Sequence, residues 1–149
     1  MSGHLTRLTI RALDSLGRVL KRTSTAPSHL QLGARGEEEA YFYLRQNGYV
    51  IVARNYRTPH SHSELDMIGW EGETLCFIEV KTRSSRKFLP AEAAVDYEKR
   101  RSLARVARHF LRRIGGEPSY RFDVVSVYLE PNREPDIVLF KNAFFAEGK

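Results

Sequence analysis

Apolar residues return every three or four positions at Leu103, Val106, Ala107, Phe110, Leu111 and Ile114. That period predicts a helix over about 93–114 with one apolar face, and Gly115-Gly116 supply its stop. A shorter stripe of Ala40, Tyr43, Leu44 and Phe42 predicts an earlier helix, led in by Gly33-Ala-Arg-Gly36 and ended near Gly48. In that reading Glu37, Glu38 and Glu39 fall in the first turns, where the helix dipole favours anions. β-rich runs at 49–53, 63–68, 75–81, 120–128 and 137–140 predict five strands. The order helix, three strands, helix, two strands predicts an α/β domain with a central mixed sheet flanked by helices.

Charges interrupt two of these strands. Residues two apart on a strand share a face, so Glu64 goes with Asp66, and Glu79 goes with Lys81. Pairing the strands across the Trp70-Glu71-Gly72-Glu73 turn would bring Asp66 and Glu79 onto one face. A solvated edge hairpin would account for such residues as an ordinary surface pair. Leu75, Cys76, Phe77, Ile78 and Val80, however, read as a strand covered on both faces. A Glu and a Lys inside such a run are expected to be partly desolvated, and therefore paired or metal-bound. Two carboxylates and a lysine at one place suit a hard cation beside a cationic group, and hence hydrolysis of a phosphodiester.

The 149 residues fit one domain with a substantial core, and the net charge of +6 points to an anionic partner, nucleic acid or a membrane surface. A single cysteine, Cys76, rules out an internal disulfide framework and reads as a buried apolar residue. No apolar stretch is long enough for a transmembrane helix, and a cytoplasmic location is expected. Leu5, Leu8, Ile10, Leu13, Leu16, Val19 and Leu20, interspersed with arginines and Lys21, predict a basic amphipathic helix able to touch an anionic membrane. Residues 23–28 read as a linker, so 1–31 are expected to be an extension and 32–149 the domain.

An acidic residue on one strand followed by Glu-x-Lys on the next resembles the PD-(D/E)xK pattern of restriction-endonuclease-like nucleases. The wider series is Gly36-Glu37, Ala40, Leu44, Gly48-Tyr49, Asn55-Tyr-Arg57, Glu64-Leu-Asp66-Met-Ile68, Glu79-Val-Lys81-Thr-Arg83, Lys99 and Arg121-Phe-Asp123-Val-Val125. It resembles the bacterial UPF0102 (YraN-like) family over about 32–127. The resemblance implies a restriction-endonuclease-like fold and a Mg²⁺- or Mn²⁺-dependent endonuclease hydrolysing DNA phosphodiesters, with selectivity for branched or junction DNA over linear DNA left open. The alternative is a non-catalytic nucleic-acid-binding module that keeps the fold. Asp66 and Glu79 would be the principal metal ligands, Glu64 a further one, Lys81 the catalytic cation and Glu37 an additional acid brought by the first helix. The family pattern has Gly where this chain has Ser63, a position at which positive φ would disfavour serine. Asp123 beside Arg121 reads as a structural ion pair.

Arg83, Arg86, Lys87, Lys99, Arg100, Arg101 and Arg105 are the candidate nucleic-acid contacts, with Arg108 beyond them. The long helix carries no acid between Lys99 and Arg113, and a self-repelling face of this kind favours a polyanionic partner. No base-reading motif is visible, so backbone-directed recognition is expected. His60 and His62 flank the acidic strand without further histidine or paired cysteine nearby, which reads as a solvated loop rather than a zinc site. His109 reads as a surface residue. Oligomeric state is open, a homodimer being compatible with cutting two strands.

Overall fold

The computed structural model describes residues 28–59, 61–86 and 95–146. The amphipathic segment 5–22, His60 and Lys87 lie outside the described residues, as does the predicted helix start at 93. The elements are α1 (Ser28–Gln46), β1 (Tyr49–Arg57), β2 (Glu64–Glu71), β3 (Thr74–Arg83), α2 (Tyr97–Ile114), β4 (Tyr120–Tyr128) and β5 (Asp136–Phe144). The unit beginning at Leu32 is built on one five-stranded sheet in the order β1-β2-β3-β4-β5. Neighbours are antiparallel except β3 and β4, which run parallel and are joined through α2. A parallel pair needs a long crossover, and the helix supplies it.

Alternation along β3 explains its nearly continuous apolar sequence. Leu75 and Phe77 pack in one cluster with Leu103, Val106 and Ala107 of α2, together with Phe122 and Val124. Cys76, Ile78 and Val80 pack on the other side with Ala40 and Leu44 of α1, and with Met67, Val125 and Val127. With both faces covered, there is no solvent side on which a polar residue costs nothing. Glu79 and Lys81 continue the Leu75–Phe77 series and so belong to the α2 face.

Several boundaries differ from the sequence expectation. Helix α1 begins at Ser28 rather than after Gly36, so its first turn holds no acid and Glu37 lies mid-helix. Glycine's helix penalty of about 1 kcal/mol marks Gly33 and Gly36 as a boundary in sequence; the packing of Gly36 described below overrides that preference. Helix α2 begins at Tyr97 because Asp96 is its N-cap, accepting the Lys99 N–H at 2.8 Å. Strand β1 runs past Ala53 to Arg57 through a bulge between Ile51 and Ala53. Strand β5 extends to Phe144, whose ring stacks on Phe122 at 4.8 Å.

A buried polar knot ties β1, β4 and β5 together. Asp123 is fully buried and accepts hydrogen bonds from Arg121 Nε at 2.8 Å, the Asn142 N–H at 2.9 Å and the Tyr49 hydroxyl at 3.3 Å. Arg121 Nη2 also pairs with Glu71 at 2.6 Å. Burial, followed by the Asp123 charge, holds the Tyr49 hydroxyl pKa above its usual value. Asp123 is thus a structural residue.

Candidate active site

The register Met67↔Ile78 and Ile68↔Phe77 aligns β2 and β3 so that Asp66 and Glu79 follow on the face of Ile68 and Phe77. Asp66 Oδ2 accepts the Val80 N–H at 2.6 Å, which anchors its carboxyl to the neighbouring strand. Burial and then the Glu79 charge push the Asp66 pKa up to about 8, against the Val80 hydrogen bond, with Glu37 adding to the rise and Lys99 opposing it. Glu79 is only 4% exposed. Its Oε1 is gripped by Lys81 Nζ at 3.1 Å and Lys99 Nζ at 3.4 Å, while its Oε2 is buried without a hydrogen-bond partner.

Lys99 therefore belongs to this cluster and not to an outer rim. The Asp96 cap starts α2 three residues earlier, which places Lys99 in the first turn over the end of β3. Sequence spacing put it among surface cations because its partner is on another element. Ser126 was missed altogether. It is fully buried opposite Lys81 in the parallel β3–β4 register, and its Oγ has no partner. Arg83 Nε is likewise buried and unpaired. By strand alternation Glu79, Lys81, Arg83 and Ser126 share one face, so three buried, unsatisfied polar atoms gather at the carboxyl ends of β3 and β4. Such atoms are uncommon in interiors, and their clustering beside Asp66 marks a place built for something other than packing. The available signal was a lone serine inside the Val124-Val125-Ser126-Val127 run.

Glu37 reaches the cluster from α1. Its pKa is raised, first by burial and then by Glu64, with Glu79 also contributing and Arg54 opposing. A helix-dipole role is excluded by its position, nine residues beyond the start at Ser28. Gly36 permits this approach: a Cβ there would lie 2.7 Å from both Cβ and Cγ2 of Thr82 on β3. Gly36→Ala is expected to destabilise the protein by about 1–3 kcal/mol through overpacking. Combining it with Thr82→Gly should recover part of that loss in a double-mutant cycle read by denaturant unfolding. Strict additivity of the two changes would show that the close approach does not matter.

The other expected site residues are distributed as follows. Glu64 pairs with Arg57 and stands near Glu37. Ser63 does not adopt positive φ, so the family's glycine is not required there on backbone grounds. Arg86 pairs with Asp136 and lies over the Tyr128 ring at 4.7 Å, fastened to the β4–β5 hairpin. Arg100 donates to the Val95 carbonyl at 2.7 Å and lies over Phe144, while Arg101 lies over Tyr97. Arg105 faces a cleft described below. His62 is exposed; His109, contrary to the expectation of a surface residue, is half-buried with Nδ1 2.8 Å from the Tyr56 hydroxyl. Among the described residues no group of three or more His, Cys, Asp or Glu is arranged to hold a metal, and no helix is long and apolar enough to cross a membrane.

A mixed five-stranded sheet flanked by two helices, with a carboxylate pair and two lysines at the end of β3, defines an α/β protein of restriction-endonuclease-like fold. The chain belongs to the UPF0102 family: the model described as "Uncharacterised protein family UPF0102" matches residues 36–127. It is 52% identical over 144 residues to a UPF0102 protein of Koribacter versatilis (strain Ellin345), covering 97% of each chain. It is 47% identical over 138 residues to one of Solibacter usitatus (strain Ellin6076), covering 92% of this chain and 98% of the relative. A UPF0102 protein of Caldicellulosiruptor saccharolyticus is 46% identical over 116 residues, or 76% of this chain and 97% of the relative. The matched span contains Glu37, Glu64, Asp66, Glu79, Lys81, Lys99 and Ser126.

Proposed function

We propose that this protein is a metal-dependent nuclease hydrolysing DNA phosphodiesters. The observation that carries the reading is Glu79: one oxygen is held by two lysines and the other is buried without a partner beside the Asp66 carboxyl. A buried, unsatisfied carboxylate oxygen next to a carboxyl pushed up to about 8 is a costly arrangement that a divalent cation would relieve. The donor set is all hard oxygen, which suits Mg²⁺ or Mn²⁺. Asp66 and Glu79 would hold the ion, with Glu37 and Glu64 nearby as carboxylates that bind its retained waters.

Such an ion supplies Lewis acidity toward a phosphoryl oxygen and lowers the pKa of water. The protein's own residues do the rest. The Val80 N–H fixes Asp66 in place, and the Lys99 ammonium fixes Glu79. Lys81, 23% exposed at its side chain, carries the cation that can face a phosphate and stabilise charge developing on it. The buried Ser126 hydroxyl and Arg83 Nε offer further donors on the same face.

The deciding experiment is cleavage of labelled linear, flapped and four-way-junction DNAs with Mg²⁺, Mn²⁺ or EDTA, with Asp66→Ala and Lys81→Ala alongside. Metal-dependent cutting that both substitutions abolish is expected, with branched substrates cut fastest. A second reading, a nucleic-acid-binding module without catalysis, draws on the lack of a third metal-binding side chain grouped with the pair among the described residues. Salt-sensitive binding that persists in EDTA and in both variants, with no cutting under any metal, would replace the first reading by the second.

A further inference from the structure

Away from the carboxylate cluster, an open cleft of about 460 Å³ is lined by Thr58, Pro59 and Ser61 and by Arg105, Arg108, His109 and Arg112 of α2. The three arginines are spaced i, i+3 and i+7, so they form one stripe along the helix. Among the described residues no carboxylate lines the cleft. Elsewhere on this surface arginines are engaged: Arg54 with Glu38, Arg57 with Glu64, Arg86 with Asp136 and Arg133 with Glu130. Arg108 Nε donates to the Ala104 carbonyl at 3.3 Å, which orients its guanidinium. The side chains of Arg105 and Arg112 have neither an ion pair nor a hydrogen bond among the described residues. His109 is held against the Tyr56 hydroxyl at 2.8 Å, which steadies the cleft floor between helix and strand.

We infer that this cleft binds successive backbone phosphates of the nucleic acid whose scissile phosphate lies at Asp66 and Glu79. The inference rests on the nuclease reading for the identity of the strand and names a second point of contact for it. Three arginines whose backbone positions are separated by a rise of about 4.5–6 Å along the helix outnumber what a single carboxylate can neutralise. A run of phosphates can engage all three, and the Thr58 and Ser61 hydroxyls add neutral donors of the kind common at phosphate contacts. Lys99 marks the catalytic end of the same helix. From it, Arg105 lies about 9 Å and Arg112 about 20 Å along the axis at 1.5 Å per residue.

The test is binding of a labelled duplex in EDTA across a salt series, comparing the intact protein with Arg105→Ala/Arg112→Ala and with Arg113→Ala. All three substituted arginines are exposed, so the variants are expected to fold. The double variant should lower the magnitude of the log–log salt slope by about two and weaken binding roughly tenfold, because each phosphate contact contributes about one. Arg113, outside the cleft, should leave the slope nearly unchanged. An unchanged slope in the double variant, or an equal change in the Arg113 control, overturns the inference even if the protein cuts DNA. A cleft-dependent slope in a protein that cuts nothing sustains the phosphate contact while removing the nuclease reading. Inorganic phosphate that raises the melting temperature through Arg105 and Arg112, with no change in duplex slope, would assign the cleft to a free anion and overturn the proposal.

Discussion

Asp66→Asn is expected to abolish the metal-dependent cleavage proposed for this protein and, in EDTA at pH 8, to unfold at a higher temperature than the wild-type protein. The two effects share one cause. Asp66 is half-buried beside Glu79, and its pKa is about 8 in the folded protein against 3.8 ordinarily. Between those values the folded state holds a proton that the unfolded chain has released, so stability falls as pH rises. The contribution is fully present below about pH 4 and fully lost above about pH 8. Asparagine keeps an oxygen to accept the Val80 N–H but carries no charge against Glu79. The gain should therefore grow from pH 5 to pH 8 and reach about 1–3 kcal/mol, discounted from the full linkage value because Lys99 and partial hydration compensate. Cleavage should drop by more than the roughly 10–100-fold that changes one shell removed from a metal cause. Thermal melts at several pH values, paired with the junction-cleavage assay, measure both. A variant less stable than wild type at pH 8 would mean that the carboxylate pair is not strained in the metal-free protein.

The second large effect is on the opposite side of function. Asp123→Ala is expected to cost about 3 kcal/mol or more, because removing one partner of a buried pair leaves the other charge uncompensated. Three donors lose their acceptor at once: Arg121, Tyr49 and the Asn142 backbone N–H. Arg121 keeps Glu71, which holds the loss near the lower end of the range. Arg121→Ala combined with Asp123→Ala should cost clearly less than the sum of the single changes, as expected for one network. Denaturant unfolding checks this, and a loss under about 1 kcal/mol for the single variant would contradict the structural role. Near-wild-type levels of the proposed cleavage by the fraction still folded would separate this knot from the carboxylate cluster at the end of β3.

Much of the architecture was readable from local chemistry. The β-rich runs marked all five strands because a strand's side chains alternate, and the helix over 97–114 was visible in its three-and-four spacing. Asp66 and Glu79 were legible as a pair for the same reason, since a short turn between two alternating strands leaves few registers. What local pattern misjudged was where packing outweighs propensity. Gly33 and Gly36 looked like a helix boundary, yet α1 continues through them because Gly36 presses on Thr82.

The sequence by itself determined the elements, the apolar faces and the charged residues of β2 and β3, because these follow from the periods of helix and strand and from the cost of burying charge. Only the tertiary structure decided that Lys99 grips Glu79, that Glu37 arrives from mid-helix, that Ser126 and Arg83 stand unpaired on the same face, and that three arginines line a cleft. Each of those depends on distances between elements far apart in the chain. Such distances are set by how whole faces pack, and no local spacing encodes them.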